Sequence, residues 1–230
     1  MNILSIETAT EHGSVALLHG DELLVRRIQG AANHSEAVLR DLHELLAEAG
    51  LAVAHLDAVA FGAGPGAFTG LRLACGVAQG IALAADLGVA AVGSLQALAL
   101  QAGAQRVLAA TDARMGEIYF ATFELDARGV PQPHGAPRCC APIELELPPG
   151  DWSAAGSAFR AWLEELEART AGRLTSCQPD LHPRAEEVAR LGAIQAIEDR
   201  LVAPELAAPL YVRDKVALTT AERLARGGRA

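Results

Sequence analysis

Residues 2–29, NILSIETATEHGSVALLHGDELLVRRIQ, decide the fold of the first half of the chain. The stretch holds three short segments rich in branched and apolar residues, at 2–7, 13–19 and 22–29, and a turn at Gly20 joins the last two. Segments of this length bounded by turn residues are typical of β-strands, and a short turn between two of them indicates an antiparallel pair. The stretch therefore predicts a meander of three antiparallel strands.

Two helix–strand pairs follow the meander. Apolar residues spaced three and four apart predict a helix over about 35–49, and 56–61 predicts a strand. A glycine-rich loop at 62–70 leads into a helix over about 70–87, and 89–92 predicts the next strand. The order βββαβαβ indicates an α/β fold with a mixed sheet, the layout of the ribonuclease-H-like lobe of actin-like and sugar-kinase-like (ASKHA) ATPases.

The second half of the chain opens like the first. A strand pair predicted within 106–125 echoes the opening hairpin, and an acidic residue ends the first strand of each pair, Glu7 in one and Asp112 in the other. We therefore expect a duplicated, two-lobed fold. The lobes are predicted at 1–104 and 105–230, with the last residues of the chain packing back on the first lobe.

Two helices are predicted further along the second lobe. One lies near 157–170, and the other, near 183–201, begins with a proline, which fits the first turn of a helix. A proline-rich loop at 131–150 separates them from the strand pair.

The charge balance of the chain makes some classes of protein less expected than others. The chain has 230 residues, with 28 acidic and 19 basic side chains and a formal net charge of −9. Because an acidic surface repels phosphate backbones, a protein that grips nucleic acid by broad electrostatic contact is disfavoured. Any role that involves RNA is therefore expected to be local or indirect.

Several other classes lack their sequence signatures. No G-x-x-x-x-G-K-[ST] motif is present, which excludes Walker-type ATP binding. The four cysteines lack C-x-x-C spacing, so a zinc site is not indicated and a reducing cytoplasm is the simplest location. The chain starts without a signal-peptide pattern, and its longest apolar run, at 73–85, is too short to cross a bilayer, so we expect no membrane association.

The second predicted helix is apolar nearly all round. Its polar residues Arg72, Gln79 and Asp86 recur every seven positions and form one narrow stripe. A helix on a sheet needs one apolar face, so either the rest of the chain or a partner protein must cover the other sides. Gly76 and Gly80 would let another backbone approach closely, or would seat the helix on its own sheet. The candidate interface residues are Leu73, Gly76, Val77, Gly80 and Ile81, with Leu42 and Leu46 on the preceding helix.

The loop before that helix formally matches a dinucleotide-binding motif. Residues 62–67, GAGPGA, fit G-x-G-x-x-A between a strand and a helix. The dinucleotide fingerprint normally follows the first strand of a βαβ unit, whereas here a meander and a helix precede the loop. We therefore interpret the match as accidental.

The same loop belongs to a longer series of motifs. The series closely resembles the TsaB (YeaZ) family, in family order over most of the chain, and the likeness is weakest across 126–205. The motifs are IETATEHGSVAL at 6–17, His34-Ser35, GPGAFTGLR at 64–72, DARMGEIYF at 112–120 and PLYVR at 209–213. Several long motifs in order are far more specific than a lone glycine pattern.

The resemblance implies both the fold and a pathway. It implies the two-lobed actin-like fold and a part in making threonylcarbamoyladenosine, the modification beside the anticodon of tRNAs that read codons beginning with A. In that family the subunit pairs with its paralogue TsaD, which transfers the threonylcarbamoyl group to tRNA. The ATPase TsaE binds the pair, and TsaC makes the adenylate that TsaD uses.

This chain would then be the partner of the catalyst. The resemblance implies a cytoplasmic, non-catalytic subunit that binds and organises TsaD through its N-terminal lobe. It is expected to form homodimers when TsaD is absent, and to meet tRNA only through TsaD. TsaE and TsaC are the further candidate partners.

The resemblance also bears on metal chemistry. Behind its glycine loop and helix, TsaD carries a His-x-x-x-His pair, a spacing that places two imidazoles on one helical face. Alignment on the loop places Ser94 and Leu98 at those positions here, and neither can replace an imidazole. A metal-dependent transferase or peptidase is therefore disfavoured, and we assign neither a metal ligand nor a catalytic residue.

A nucleotide pocket remains the other candidate site. Its candidate residues are Glu7, Thr8, Thr10, Ser14, Asp112 and Gly156. In ATPases of this fold class the two acids would orient water or Mg²⁺ near phosphates; their alternative role is to cap strand ends and form turns. His34 is interpreted as a structural residue at a helix start. We expect no required cofactor and at most weak ATP or ADP with Mg²⁺; the alternative function is an independent ATP-dependent kinase-type enzyme.

Overall fold

The computed structural model describes residues 1–30 and 34–213; residues 214–230 of the predicted second lobe lie outside this part of the chain. Its strands are β1 (Asn2–Glu7), β2 (His12–His19), β3 (Glu22–Gln29), β4 (Ala58–Gly64), β5 (Gly88–Gly93), β6 (Arg106–Arg114), β7 (Glu117–Leu125), β8 (Pro131–Pro133), β9 (Arg138–Cys140), β10 (Trp152–Ala155) and β11 (Leu174–Gln178). Its helices are α1 (His34–Glu48), α2 (Phe68–Ala85), α3 (Ser94–Ala102), α4 (Ala158–Ala161), α5 (Leu163–Thr170) and α6 (Ala185–Ile197).

The first sheet is mixed, in the order β3-β2-β1-β4-β5. The strands β1, β2 and β3 are antiparallel neighbours, and β4 and β5 run parallel to β1. The pairing sets Glu7 opposite Ser14, at the end of the first hairpin. The predicted meander and the βββαβαβ order are confirmed.

Helices cover both faces of the first sheet. Leu4 and Ile6 of β1 belong to the core that α1 and α2 share with the sheet, whereas Ile3 lies in the core under α6. Successive strand residues point to opposite faces, so a strand buried on both sides needs a continuous apolar run, as β1 has. Ser5 shares the α6 face, and its hydroxyl donates a hydrogen bond to the carbonyl of Ala185 at 2.8 Å.

The second sheet repeats the topology of the first. Its order is β11-β10-β6-β7-β8, with β9 also paired to β7. The antiparallel hairpin β6–β7 matches β1–β2, and β10 lies parallel to both β6 and β11, as β4 does to β1 and β5. This is the two-lobed actin-like, sugar-kinase-like fold, and the predicted fold class is confirmed.

Two helical segments differ from the predictions. The helix α3 is absent from the predicted elements; it begins directly after β5 and packs Leu95, Leu98 and Ala99 against the second sheet. The helix predicted near 157–170 is divided into α4 and α5 at Trp162, whose backbone angles of −138° and 36° are not helical. Both short helices lie on the far side of the second sheet, around Phe159 and Leu166.

After α6 the chain returns along the first lobe. We call residues 201–213 the strap. Val202 pairs with Val89 at the free edge of β5, and the Leu210 amide donates to the carbonyl of Ala63 at 2.7 Å. The predicted boundary between lobes at 104 and 105 stays a prediction; the chain leaves α3 there and enters β6 at Arg106.

Candidate functional site

A cleft of about 460 Å³ lies between the lobes, where the hairpins of the two sheets face each other. The first lobe contributes residues 9–12 after β1 and residues 65–68 of the glycine-rich loop and the start of α2. The second lobe contributes residues 111–114 at the end of β6 and residues 179–182 before α6. The last residues of the strap, 210–213, line the same cleft.

Glu7 does not line the cleft; it is buried beneath it. Its carboxylate accepts hydrogen bonds from the Ala9 amide at 2.6 Å and from the Ser94 hydroxyl at 2.7 Å. Burial raises the pKa of Glu7, and the two hydrogen bonds oppose that rise. Gly62 of β4 makes room for the carboxylate, because a Cβ at that position would overlap its oxygen.

Thr8 and Ser14 are also buried and hold secondary structure together. The Thr8 hydroxyl donates to the carbonyl of Gly70 at 2.7 Å, in the first turn of α2. The Ser14 hydroxyl accepts from the Ala185 amide at 2.9 Å, at the start of α6. Each side chain therefore fixes a helix start against the first hairpin.

Thr10 and Asp112 do line the cleft. The Thr10 hydroxyl accepts the His12 amide at 3.2 Å, within its own loop. Asp112 accepts both the backbone amide and the guanidinium of Arg114, each at 3.0 Å. Gly156 lies behind this wall. Its φ is +111°, and a Cβ there would overlap the carbonyl of Ala110, so both the backbone conformation and the space favour glycine.

These contacts do not fit a magnesium nucleotide held as in ATPases of this fold. Both Glu7 oxygens are hydrogen-bonded, and Asp112 is paired with Arg114, which also pairs with Glu11 at 2.9 Å. The loop after β1 and the glycine-rich loop bind each other, since the Ala67 amide donates to the carbonyl of Ala9 at 2.7 Å. A metal-bound phosphate would have to displace these partners.

A histidine pair that the sequence did not predict lies on the cleft wall. The rings of His12 and His182 lie 4.4 Å apart, centre to centre. Burial, and then the nearby positive groups His12, Arg27 and Arg184, lower the pKa of His182 to about 4. No local sequence signal joins residues so far apart in the chain; only the return of the chain into α6 brings them together.

His34 is buried at the start of α1, as interpreted from the sequence. Burial lowers the pKa of its imidazole. Its ring packs on Gly13, where an added Cβ would come within 2.6 Å of the ring nitrogen. The ring therefore fills space between α1 and β2.

The polar stripe of α2 binds the strap. The Gln79 amide donates to the carbonyls of Pro204 and Ala207, at 3.0 Å each. Arg72 donates to the Tyr211 hydroxyl at 3.0 Å and stacks on the ring of Phe68. Asp86 ends the helix in the left-handed conformation. The strap thus binds two of the three polar residues of the stripe, Arg72 and Gln79.

Within residues 1–30 and 34–213, nothing covers the apolar side of α2 that carries Gly76, Gly80 and Leu83. We call Leu73, Gly76, Val77, Gly80, Ile81 and Leu83 the α2 face. Both glycines are exposed, with no atom within 4 Å of a Cβ built on either one. Leu83 is 71% exposed, and Leu73, Val77 and Ile81 are half-buried.

Leu42 and Leu46, the other candidate interface residues, lie elsewhere. They are 2% and 7% exposed and belong to the core between α1 and the first sheet. Both lie on the inner side of α1 and pack against the first sheet. Leu39 is the large apolar residue that α1 exposes.

By length and composition alone, α2 could cross a membrane, and 28% of its residues are buried. A core helix passes the same test, so this is weak support for a membrane role. Ala74, Ala78 and Ala82 pack α2 onto the first sheet.

Comparison with known proteins identifies the family. A family model described as "TsaD: tRNA N6-adenosine threonylcarbamoyltransferase" matches residues 29–221. The "tRNA threonylcarbamoyladenosine biosynthesis protein TsaB" of Escherichia coli strain K12 is 34% identical over 225 residues, which cover 94% of this chain and 96% of that protein. The chain belongs to the TsaB family. It therefore has a role in tRNA threonylcarbamoyladenosine biosynthesis.

Further TsaB relatives agree with this assignment. The protein of the same name from Haemophilus influenzae is 43% identical over 124 residues, which cover 52% of each chain. The solved structure "YeaZ from Pseudomonas aeruginosa" superimposes with a TM-score of 0.84 at 37% identity, covering 91% of this chain and 99% of that one. The predicted TsaB (YeaZ) resemblance is confirmed.

The positions that the loop alignment assigns to the TsaD metal pair are fully buried in this TsaB-family chain. The Ser94 hydroxyl accepts the Gly64 amide at 3.2 Å and donates to Glu7. Leu98 lies in the core under the second sheet. Within residues 1–30 and 34–213, no three His, Cys, Asp or Glu side chains are grouped so that they could hold a metal ion.

Proposed function

We propose that this TsaB-family chain is a non-catalytic subunit that binds TsaD and organises it to modify adenosine beside the anticodon of tRNA. The modified tRNAs would be those that read codons beginning with A. The observation that carries the proposal is the uncovered α2 face. TsaE and TsaC are proposed as further partners, and the cytoplasm as the location.

The two glycines support a partner at this face. A glycine inside a helix costs about 1 kcal/mol relative to alanine. No contact among residues 1–30 and 34–213 requires Gly76 or Gly80, because a Cβ at either one meets open space there. Glycines on an exposed helical surface let a second backbone approach closely, so they suit a helix–helix interface.

The charge distribution favours a protein partner over tRNA. Residues 1–104 carry 4 basic and 10 acidic side chains, a net charge of −6. A lobe of this charge repels phosphate backbones, so TsaD is the subunit proposed to contact tRNA. Without TsaD, the α2 face of one copy is proposed to pack on that of another.

The cleft gives no support to the kinase-type alternative. Its acidic residues are paired with arginine or buried. The candidate hydroxyls of Thr8 and Ser14 are both buried and hydrogen-bonded to the backbone. A kinase needs a carboxylate free to hold Mg²⁺ or to accept a proton from the substrate. Catalysis is therefore assigned to TsaD.

The test compares two matched substitutions. Leu83 on the α2 face is 71% exposed and Ile197 at the end of α6 is 73% exposed, so neither change to arginine should harm the fold. Leu83→Arg is expected to weaken TsaD binding at least about tenfold, because it buries a charge at the interface. Ile197→Arg is expected to bind like the parent chain in calorimetric titration.

A reconstitution tests the function itself. The chain is mixed with TsaC, TsaD, TsaE and tRNA, each protein is omitted in turn, and modified adenosine is measured by mass spectrometry. Modification should collapse without this chain and should fall with Leu83→Arg. Undiminished modification in its absence would refute the proposed function, and equal TsaD binding by both arginine variants would refute the proposed interface.

A further inference from the structure

The strap is bound along the first lobe at several points. Val89 and Val202 exchange two backbone hydrogen bonds of 2.9 Å. Further along, Gln79 of α2 holds two strap carbonyls, and the Leu210 amide is bound to Ala63. These contacts fix residues 202–211 to α2 and to the edge of the first sheet.

The end of the strap is anchored in the second lobe. The Arg213 guanidinium donates to the carbonyls of Ala113 at 3.0 Å and Arg114 at 3.3 Å, and it pairs with Glu117. It also lies 5.6 Å from the centre of the Tyr119 ring. Hydrogen bonds that involve a charged group are among the stronger ones in proteins. One short segment is therefore fastened to both lobes.

The strap crosses the open side of the molecule. Residues 210–213 line the cleft, whereas the chain connections between the lobes run through 102–106 and 178–185. A second ion pair across the cleft, Glu11 with Arg114, joins two exposed side chains. Pairs of that kind contribute little to stability. The strap is thus the stronger of these two links on the cleft side.

We propose that the strap is a clasp that holds the two lobes closed over the interlobe cleft, and that release of Arg213 opens it. The clasp acts within a single chain and requires no partner. It gives a role to the PLYVR motif at 209–213 and to the polar stripe of α2, since these two features bind each other.

The distance across the cleft tests the clasp directly. Ala67 and Ala161 are exposed and line opposite walls, so spin labels at Ala67→Cys and Ala161→Cys report the opening. Cys139 and Cys177 are replaced by serine in every chain. Arg213→Ala is expected to shift the label distances to longer values. Arg138→Ala, which removes an arginine paired with Glu146 inside the second lobe, should leave them unchanged.

Two further measurements keep the test decisive. Gln79→Leu frees the middle of the strap and is expected to lengthen the same distances; it decides alone if Arg213→Ala does not fold. Hydrogen exchange at the Leu210 amide should rise about tenfold in Arg213→Ala, because the strap opens locally. Unchanged label distances would overturn the proposal: with faster exchange at Leu210 they would show that the strap opens without holding the lobes, and without it that Arg213 does not hold the strap.

Discussion

The double substitution Gly76→Ala and Gly80→Ala should stabilise this chain and weaken its association. Both positions lie inside α2, on the surface that the described part of the chain leaves uncovered. The two effects have opposite signs because the first acts on the folded monomer and the second on the interface.

The magnitude follows from helix propensity. Each change removes the cost of a helical glycine, about 1 kcal/mol, so the pair should add about 2 kcal/mol to the free energy of unfolding. For a chain of this length that corresponds to a rise of roughly 4–8 °C in Tm. At an interface built on glycine, two added methyl groups hold the partner helix away and should cost about 1–3 kcal/mol of binding.

The assay uses calorimetry twice. Scanning calorimetry on the dilute, monomeric variant measures Tm, since dimer formation would itself raise it. Titration into TsaD then measures affinity. A lower Tm would show that Gly76 and Gly80 are in closer contact with neighbouring atoms than the structure shows. A higher Tm with unchanged affinity would show that TsaD does not approach these glycines.

Three further predictions concern groups around the cleft. Gly62→Ala should destabilise the chain by about 3 kcal/mol in urea unfolding, because its methyl group would overlap the buried Glu7 carboxylate; Gly76→Ala, the same change in open space, is the control. Glu7→Gln should become more stable relative to the parent as pH rises above 4.5. The pKa of Glu7 is raised in the folded chain, so the unfolded parent loses its proton first and the folded parent loses stability in that range. A stability difference between the two chains that does not vary with pH would contradict the burial of this charge. The His182 ring should titrate near pH 4 in NMR spectra. Because its pKa is lowered in the folded chain, the unfolded chain takes up the proton first, so the parent should lose stability as pH falls from 6.5 towards 4. In His182→Gln that loss should be absent.

Local sequence patterns were sufficient to predict the strands of the first sheet, but only some strands of the second. The strands β1 to β3 are six to eight residues long and bounded by turns, so they carry a clear signal. The helix α3, SLQALALQA, lies between the two sheets, and six of its nine residues are apolar, so its amphipathic period is weak. The strands β8 and β9 have three residues each, too few for a pattern.

The candidate sites depended on contacts that no local pattern reports. Fold analogy placed Glu7 near phosphates, but the approach of Gly62, 55 positions away, leaves it buried under the loop. The apolar excess of α2 was visible in the sequence because it is a property of one helix. The partner of its polar stripe was not, since Gln79 meets a strap 125 residues further along.

The helix α6 packs on the first sheet but is synthesised long after the strands of that sheet. The last strand of that sheet ends at Gly93, but the helix that covers one of its faces begins at Ala185. At ~5–20 residues per second, a ribosome takes about 5–20 s to make the intervening segment. During that interval α6 is missing from the core that it shares with Ile3, Ala60 and Val92, and only earlier residues such as Ala97 and Val130 are there to cover part of this face. The nascent first lobe is therefore the form most exposed to aggregation and to chaperones, and a chain stopped before α6 should not accumulate as a folded lobe.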